Sequence, residues 1–244
     1  LYLMIGELAR KDFKLVDKND EISKVFGYFY GESDFPIVMD GKKPWGIIDE
    51  RRLIKTKLSK KEKIKDFVVG VPKLDATYSI EKAKQKMVKS GIDTIIVTSE
   101  KDILGYVNAI DLIKKIGVEG KAETFMRYIE PIDENESIGN AINQMKKANE
   151  RILPILTGKK FYGILGIENI LRIITTHKKT TDYHQERTTL LDAPVKGYAE
   201  PAVTNNPNDD LKDIIDVLEE QGFAVICKNK EYLGIIEPMD LLAR

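Results

Sequence analysis

Four nine-residue stretches share one frame: GIIDERRLI from Gly46, GYVNAIDLI from Gly105, GILGIENIL from Gly163 and GIIEPMDLL from Gly234. Glycine, two apolar residues and a closing apolar pair are kept, while the seventh letter is Arg52, Asp111, Asn169 or Asp240. A carboxylate in the first turn of a helix can accept from two neighbouring hydroxyls at once, each charge-assisted bond contributing about 1.5–3 kcal/mol. Its plainer use is to complement the helix dipole, for ~0.3–1 kcal/mol. Asp111 and Asp240 can do either. Arg52 has no acceptor, and Asn169 donates and accepts without charge. The fourth letters, Asp49, Asn108, Gly166 and Glu237, stand where the helix begins. Asp and Asn are good N-caps, but Asp49 and Glu237 would repel a phosphate, whereas Asn108 would accommodate one.

These letters need elements to hold them. Ahead of each frame lies helical spacing: Ile22, Val25, Phe26, Phe29; Ile80, Ala83, Met87 with Lys84 at the i+4 place; Ile138, Ala141, Ile142, Met145; Leu211, Ile214, Ile215, Leu218. The first apolar residue of each helix precedes its frame glycine by 24, 25, 25 and 23 residues (22 to 46, 80 to 105, 138 to 163, 211 to 234). Between them run FPIVM, TIIVT, LPILT and FAVIC, each followed by a polar turn, so a hairpin is expected whose second strand enters the frame. FKLVD, PKLDA, IEPID and AVTNN read as a strand before each helix. The unit is therefore strand, helix, strand, strand, helix, repeated four times in an α+β chain. One such unit leaves a sheet face uncovered, so the units are expected to pack in pairs. Expected repeats are 1–58, 66–118, 122–176 and 190–244, in modules 1–118 and 119–244. A polar, loop-like insertion, TTHKKTTDYHQERTT, delays the fourth unit.

Composition bounds the function. With 244 residues, 42% hydrophobic and 32% charged, the chain can bury a real core. Lys plus Arg equals Asp plus Glu at 39 each, so no net field recruits nucleic acid or an anionic membrane. No apolar run approaches the ~20 residues of a membrane span. One cysteine, Cys227, cannot form an internal disulfide, which fits the cytoplasm, and its apolar strand makes it a core residue. His177 and His184 lie in the insertion beside Asp182 and Glu186 without a metal-ligand spacing, so no metal is expected. Trp45 stands at a hairpin end. No phosphate-binding glycine loop, nucleophile elbow or Cys–His pair is present, so no enzyme is expected.

The unit, with its glycine-apolar-apolar frame closing on Asp and its apolar-Pro-apolar hairpin, resembles the cystathionine β-synthase (CBS) domain. Four copies cover nearly the whole chain, as in the γ subunit of AMP-activated protein kinase and in stand-alone archaeal proteins. The resemblance implies two Bateman modules in a flat disc, completed within one chain or by a homodimer, with adenosine-containing ligands between paired repeats. The seventh-letter Asp would take the ribose, and the partner repeat would give backbone to the base and cations to phosphate. Asp240 is then the main candidate, with Arg151 of NERILP facing its cleft and main-chain and apolar contacts near Ile132 and Ile152. The Asp111 cleft, with Asn108, Val16 and Phe35, meets the acidic ESDFP segment (Glu32, Ser33, Asp34) and would prefer little or no phosphate. Asn169 is an even case. AMP, ADP, ATP and S-adenosylmethionine are the candidate ligands, with no required cofactor, and the signal would pass to an effector protein. The rival expectation is a scaffold that has lost ligand binding, for which Arg52, Gly166 and Glu237 speak. A weaker rival is an enzyme with the His177 and His184 insertion as its active loop.

Overall fold

The computed structural model describes residues 3–54, 58–176 and 190–244; His177 and His184, with most of the insertion, lie outside them. The first unit comprises β1 (Phe13–Asp17), a 3-10 turn at Ile22–Val25 running into α1 (Phe26–Phe29), β2 (Phe35–Asp40), β3 (Lys43–Ile48) and α2 (Glu50–Leu53). After β4 (Val68–Val69), the second comprises β5 (Lys73–Asp75), α3 (Ile80–Ser90), β6 (Thr94–Ser99), β7 (Asp102–Asn108) and α4 (Ala109–Ile116). After α5 (Ala122–Phe125), the third comprises β8 (Ile132–Asp133), α6 (Ile138–Ala148), β9 (Ile152–Thr157), β10 (Lys160–Gly166) and α7 (Ile167–Thr176). The fourth comprises β11 (Thr204–Asn205), α8 (Leu211–Gln221), β12 (Ala224–Lys228), β13 (Glu231–Ile236) and α9 (Pro238–Leu242).

Local chemistry accounts for the elements. Ser79 and Ser137 accept from the amides of Lys82 and Asn140, capping α3 and α6, and those helices end at Gly91 and Asn149 in the left-handed region. The first helix is weaker: Glu21 gives no side-chain cap, Gly27 stands inside it, and only one α turn follows the 3-10 turn. In every unit the strand before the helix pairs parallel with the strand after it, which pairs antiparallel with the third.

Units pair face to face. Ile37, Met39 and Ile47 of the first sheet pack with Ile96 and Tyr106 of the second. Leu153, Ile155 and Ile164 of the third share a core with Val225, Cys227 and Ile235 of the fourth, and β10 joins β13 at Lys160 and Glu231 into one six-stranded sheet. Cys227 is a core residue as expected, its thiol pushed up to about 11 by burial. The two pairs meet through helices: α1 and α2 on α7, and α3 and α4 on α9, with α4 also on α8. Among the described residues no helix is long and apolar enough to cross a membrane.

One component is not visible in the strand and helix pattern. A seven-residue lead precedes each unit, at residues 4–10, 63–69, 121–127 and 194–200. Its first residue bridges the N-cap of the first helix in the partner unit: Met4 to Ser79, Lys63 to Glu21, Lys121 to Asp210 and Pro194 to Ser137. Its last residue bridges the second letter of the partner's frame: Arg10 to Tyr106, Val69 to Ile47, Arg127 to Ile235 and Glu200 to Ile164. Paired units thus exchange leads. That crossing explains the frame glycine, because a Cβ on Gly46, Gly105, Gly163 or Gly234 would lie 2.1, 2.1, 2.8 or 2.9 Å from the carbonyl oxygen of Val69, Arg10, Glu200 or Arg127. Gly70, one residue past a lead, has open space around it. Gly46→Ala is therefore expected to lose about 1–3 kcal/mol in urea unfolding, as overpacked sites do, while Gly70→Ala stays near wild type.

Candidate functional site

The frame's fourth letter is the N-cap of the closing helix and the seventh is its third residue. Asn108 and Glu237 cap α4 and α9 in reciprocal boxes, with the amides of Asn108 and Glu237 donating to Asp111 Oδ2 and Asp240 Oδ2, both at 2.8 Å. The Gly166 amide donates to Asn169 Oδ1 at 3.2 Å in the same way. In the first frame Arg52 cannot accept, and Asp49 receives the Arg51 amide at 3.2 Å instead. The seventh letter is thus first a capping residue.

It also faces the lead of the partner unit. Arg10 Nε lies 3.0 Å from both oxygens of Asp111, and its Nη2 is 2.7 Å from Oδ1. Asp111 raises the pKa of that guanidinium. Arg127 Nε reaches Asp240 at 3.3 Å, while its two terminal nitrogens bond Glu150, at 2.6 Å on the shorter contact, and Glu237. Burial works against the charge of Arg127, and the bond it donates to Glu150, with the fields of Glu237 and Asp240, more than restores it. Asn169 Nδ2 donates to Glu200 Oε1 at 2.5 Å. Arg52 Nη1 donates to the Val68 carbonyl at 2.8 Å.

The CBS domain model matches residues 5–59, 64–118 and 123–176. The chain belongs to the CBS domain family. Each match begins within a lead, so the lead is part of the repeat. A crystal structure from Methanocaldococcus jannaschii, of a protein suggested as an archaeal homologue of γ-AMPK, superposes with a TM-score of 0.82 at 14% identity, covering 98% of each chain. An uncharacterized conserved protein from Pyrococcus horikoshii superposes with a TM-score of 0.64 at 16% identity, again over 98% of each chain. At those identities the likeness shows the fold. An uncharacterized protein of M. jannaschii is 26% identical over 195 residues, 70% of this chain and 46% of that protein, so the chain spans about half of that relative's length.

Between the two CBS pairs sits the basic residue expected beside Asp240. Arg151 does not contact it. Its Nη2 bonds Glu50 Oε2 at 2.7 Å and its Nη1 lies 3.6 Å from Asp93, so it bridges the third repeat to the first and second. Glu50, with Asp93 also contributing, raises its pKa. The guanidinium that faces Asp240 belongs to Arg127. The reason is geometric: the lead crosses the frame, whereas the residue before β9 points toward the other pair. Arg10 and Arg127 escaped the sequence reading because the leads lie outside the helix and hairpin periodicity. A signal existed, since Arg10, Val69, Arg127 and Glu200 precede the first helical residue by 12, 11, 11 and 11 positions (10 to 22, 69 to 80, 127 to 138, 200 to 211).

The apolar candidates sit in the core. Val16, Ile132 and Ile152 are buried, and Phe35 stacks on Tyr106 with ring centroids 4.2 Å apart. Asn108 Oδ1 accepts from Thr94 at 3.1 Å in addition to capping α4. Trp45 is exposed, with the Lys18 ammonium over its ring. Among the described residues no cluster of His, Cys, Asp and Glu could hold a metal ion.

Two consequences are measurable. Arg151→Ala leaves the buried Glu50 without its half-exposed partner and is expected to destabilise by about 1–3 kcal/mol; adding Glu50→Gln is expected to recover part of the loss in urea unfolding. The Glu237 carboxyl is raised above 4.5 by burial, against the lowering fields of Arg127 and Arg151. The folded state then binds its proton more tightly than the unfolded state, so this group's contribution declines as pH rises from 4.5 through the raised value. Glu237→Gln is expected to flatten that part of the Tm-against-pH curve.

Proposed function

We propose that the chain is a cytoplasmic regulatory protein that binds an adenosine-containing ligand at the seams between paired CBS repeats and passes the change to a partner protein. The observation that carries this reading is the placing of Asp111 and Asp240. Each stands in a first helical turn facing the partner repeat, with a guanidinium beside it. A carboxylate there can accept both hydroxyls of a ribose, and an arginine can meet a phosphate. Asn169 and Arg52, at the equivalent seams, lack a carboxylate, so two sites are assigned rather than four. Asn108 is the capping residue that tolerates a phosphate near Asp111. Arg151 lies at the meeting of all four repeats, where Glu237 also contributes to its field.

The surrounding carboxylates set the ligand class. Glu150, Glu237 and Asp240 share Arg127, and Glu50 and Asp93 share Arg151. A polyphosphate would meet more negative than positive charge, which ranks adenosine, AMP and S-adenosylmethionine ahead of ADP and ATP. A ligand spanning two repeats biases their arrangement by its differential affinity for the two states. The effector is a separate protein or a second copy of the chain. A second reading, a scaffold without ligand, is favoured by one observation: both carboxylates are already engaged by arginine.

Calorimetry with AMP, ADP, ATP and S-adenosylmethionine separates the readings. Two sites are expected, with AMP and S-adenosylmethionine tighter than ATP, and Asp240→Asn or Asp111→Asn each removing one. Silence across the panel at millimolar ligand would overturn the adenosine reading.

A further inference from the structure

The four seventh letters vary in step with the residue of the partner lead that crosses the frame. Asp111 meets Arg10 and Asp240 meets Arg127. Asn169 meets Glu200. Arg52 donates to the Val68 carbonyl in the lead ending in Val69, which offers no carboxylate, and its Nε lies 3.5 Å from Asp49 of its own frame. Every pairing is complementary: carboxylate with guanidinium twice, amide with carboxylate, guanidinium with carbonyl. Exchanging either Asp with Asn169 or with Arg52 would break this. Asp opposite Glu200 sets two carboxylates together, and Arg opposite Arg10 sets two cations together.

We infer that the closing residues of each lead and the seventh letter of the partner frame form a matched lock between repeats, and that Arg10 and Arg127 are built-in occupants of the carboxylates a ribose would use. The second clause rests on the adenosine reading above; the first does not. A diol approaching Asp111 must displace three hydrogen bonds from Arg10. At Asp240 it displaces only Arg127 Nε, 3.2 Å from Oδ1 and 3.3 Å from Oδ2, while the terminal nitrogens keep Glu150 and Glu237 as partners afterwards. The Asp240 seam is therefore the easier to open and fills first. The bridge that follows from the lock is also the bridge that ligand loosens, because the lead carrying the arginine crosses the frame at the same residue. Occupancy is thereby converted into a weaker hold of one repeat on its partner.

The lock is tested without ligand. Asp111→Asn keeps an acceptor for the capping amide, as Asn169 shows in its own frame, and removes the charge. Thermal unfolding of Arg10→Ala, Asp111→Asn and the double variant forms a cycle in which the combined Tm loss is expected to fall well short of the two single losses together. Full additivity would overturn the lock. The occupants are tested by calorimetry with adenosine, which carries no phosphate for an arginine to hold. Arg10→Ala is expected to tighten the Asp111 site about tenfold, and Arg127→Ala to tighten the Asp240 site by less. Unchanged or weaker binding in Arg10→Ala would overturn the occupant role, showing the arginine to be a ligand contact or a bystander. No adenosine binding by wild type or either variant would remove the adenosine reading and the occupant role together, leaving the cycle to decide the lock.

Discussion

A backbone carbonyl passing over a glycine is the constraint on which the molecule turns. In each of four places a partner chain segment comes so close to the frame that no Cβ fits between them. That proximity lets the lead hydrogen-bond across the frame, with Arg10 N 2.8 Å from the Tyr106 carbonyl and Arg127 N 2.9 Å from that of Ile235. It also delivers the side chain at the end of the lead to the first turn of the closing helix. The sheet faces then have one way to meet, and the core residues Ile37, Ile47, Ile96 and Tyr106 follow from it. Glycine, lead and seventh letter are one device.

The architecture was legible because hydrophobic periodicity reports elements that bury a face. Helices from Ile80, Ile138 and Leu211 and the hairpins around Pro36 and Pro154 fall where spacing and β-branched runs put them. The first helix is the exception, because aromatic side chains and Gly27 satisfy the apolar pattern without favouring a long helix. The N-cap positions at Asp49, Asn108 and Glu237 were legible too, since the frame's fourth letter stands at a fixed offset from the start of the closing helix. The leads were not. Each of them contains one short helical turn between its two bridges, a conformation whose signal lies in what the segment touches rather than in its own sequence. For the same reason the place of Arg151 before β9 does not reveal its partners, Glu50 and Asp93, which come from the other pair of repeats.

Two demands fall on the seventh letter, and they separate the constant from the variable parts of the frame. Capping asks for an acceptor in the first turn, which Asp and Asn both supply. Facing the partner asks for complementarity to whatever ends the lead. Asp111 and Asp240 satisfy both demands with a charged group, Asn169 with a neutral one, and Arg52 satisfies only the second. The central carboxylates are held in the same economy of shared cations, with Arg127 serving three acids and Arg151 two. Chemistry at the seams is therefore written in the pairing of residues distant in sequence.

The exchange of leads also dictates an order of assembly. The second and fourth leads dock on units already synthesised, with Arg52 and Asn169 only 16 and 31 residues from their partners. The first and third leads must wait for frames 101 and 113 residues downstream. Closing so long a loop is slow, and non-local contacts form late. On a ribosome each odd-numbered repeat therefore emerges with one seam closed and the other open, and the arginines of residues 10 and 127 are the last parts of each pair to find their places.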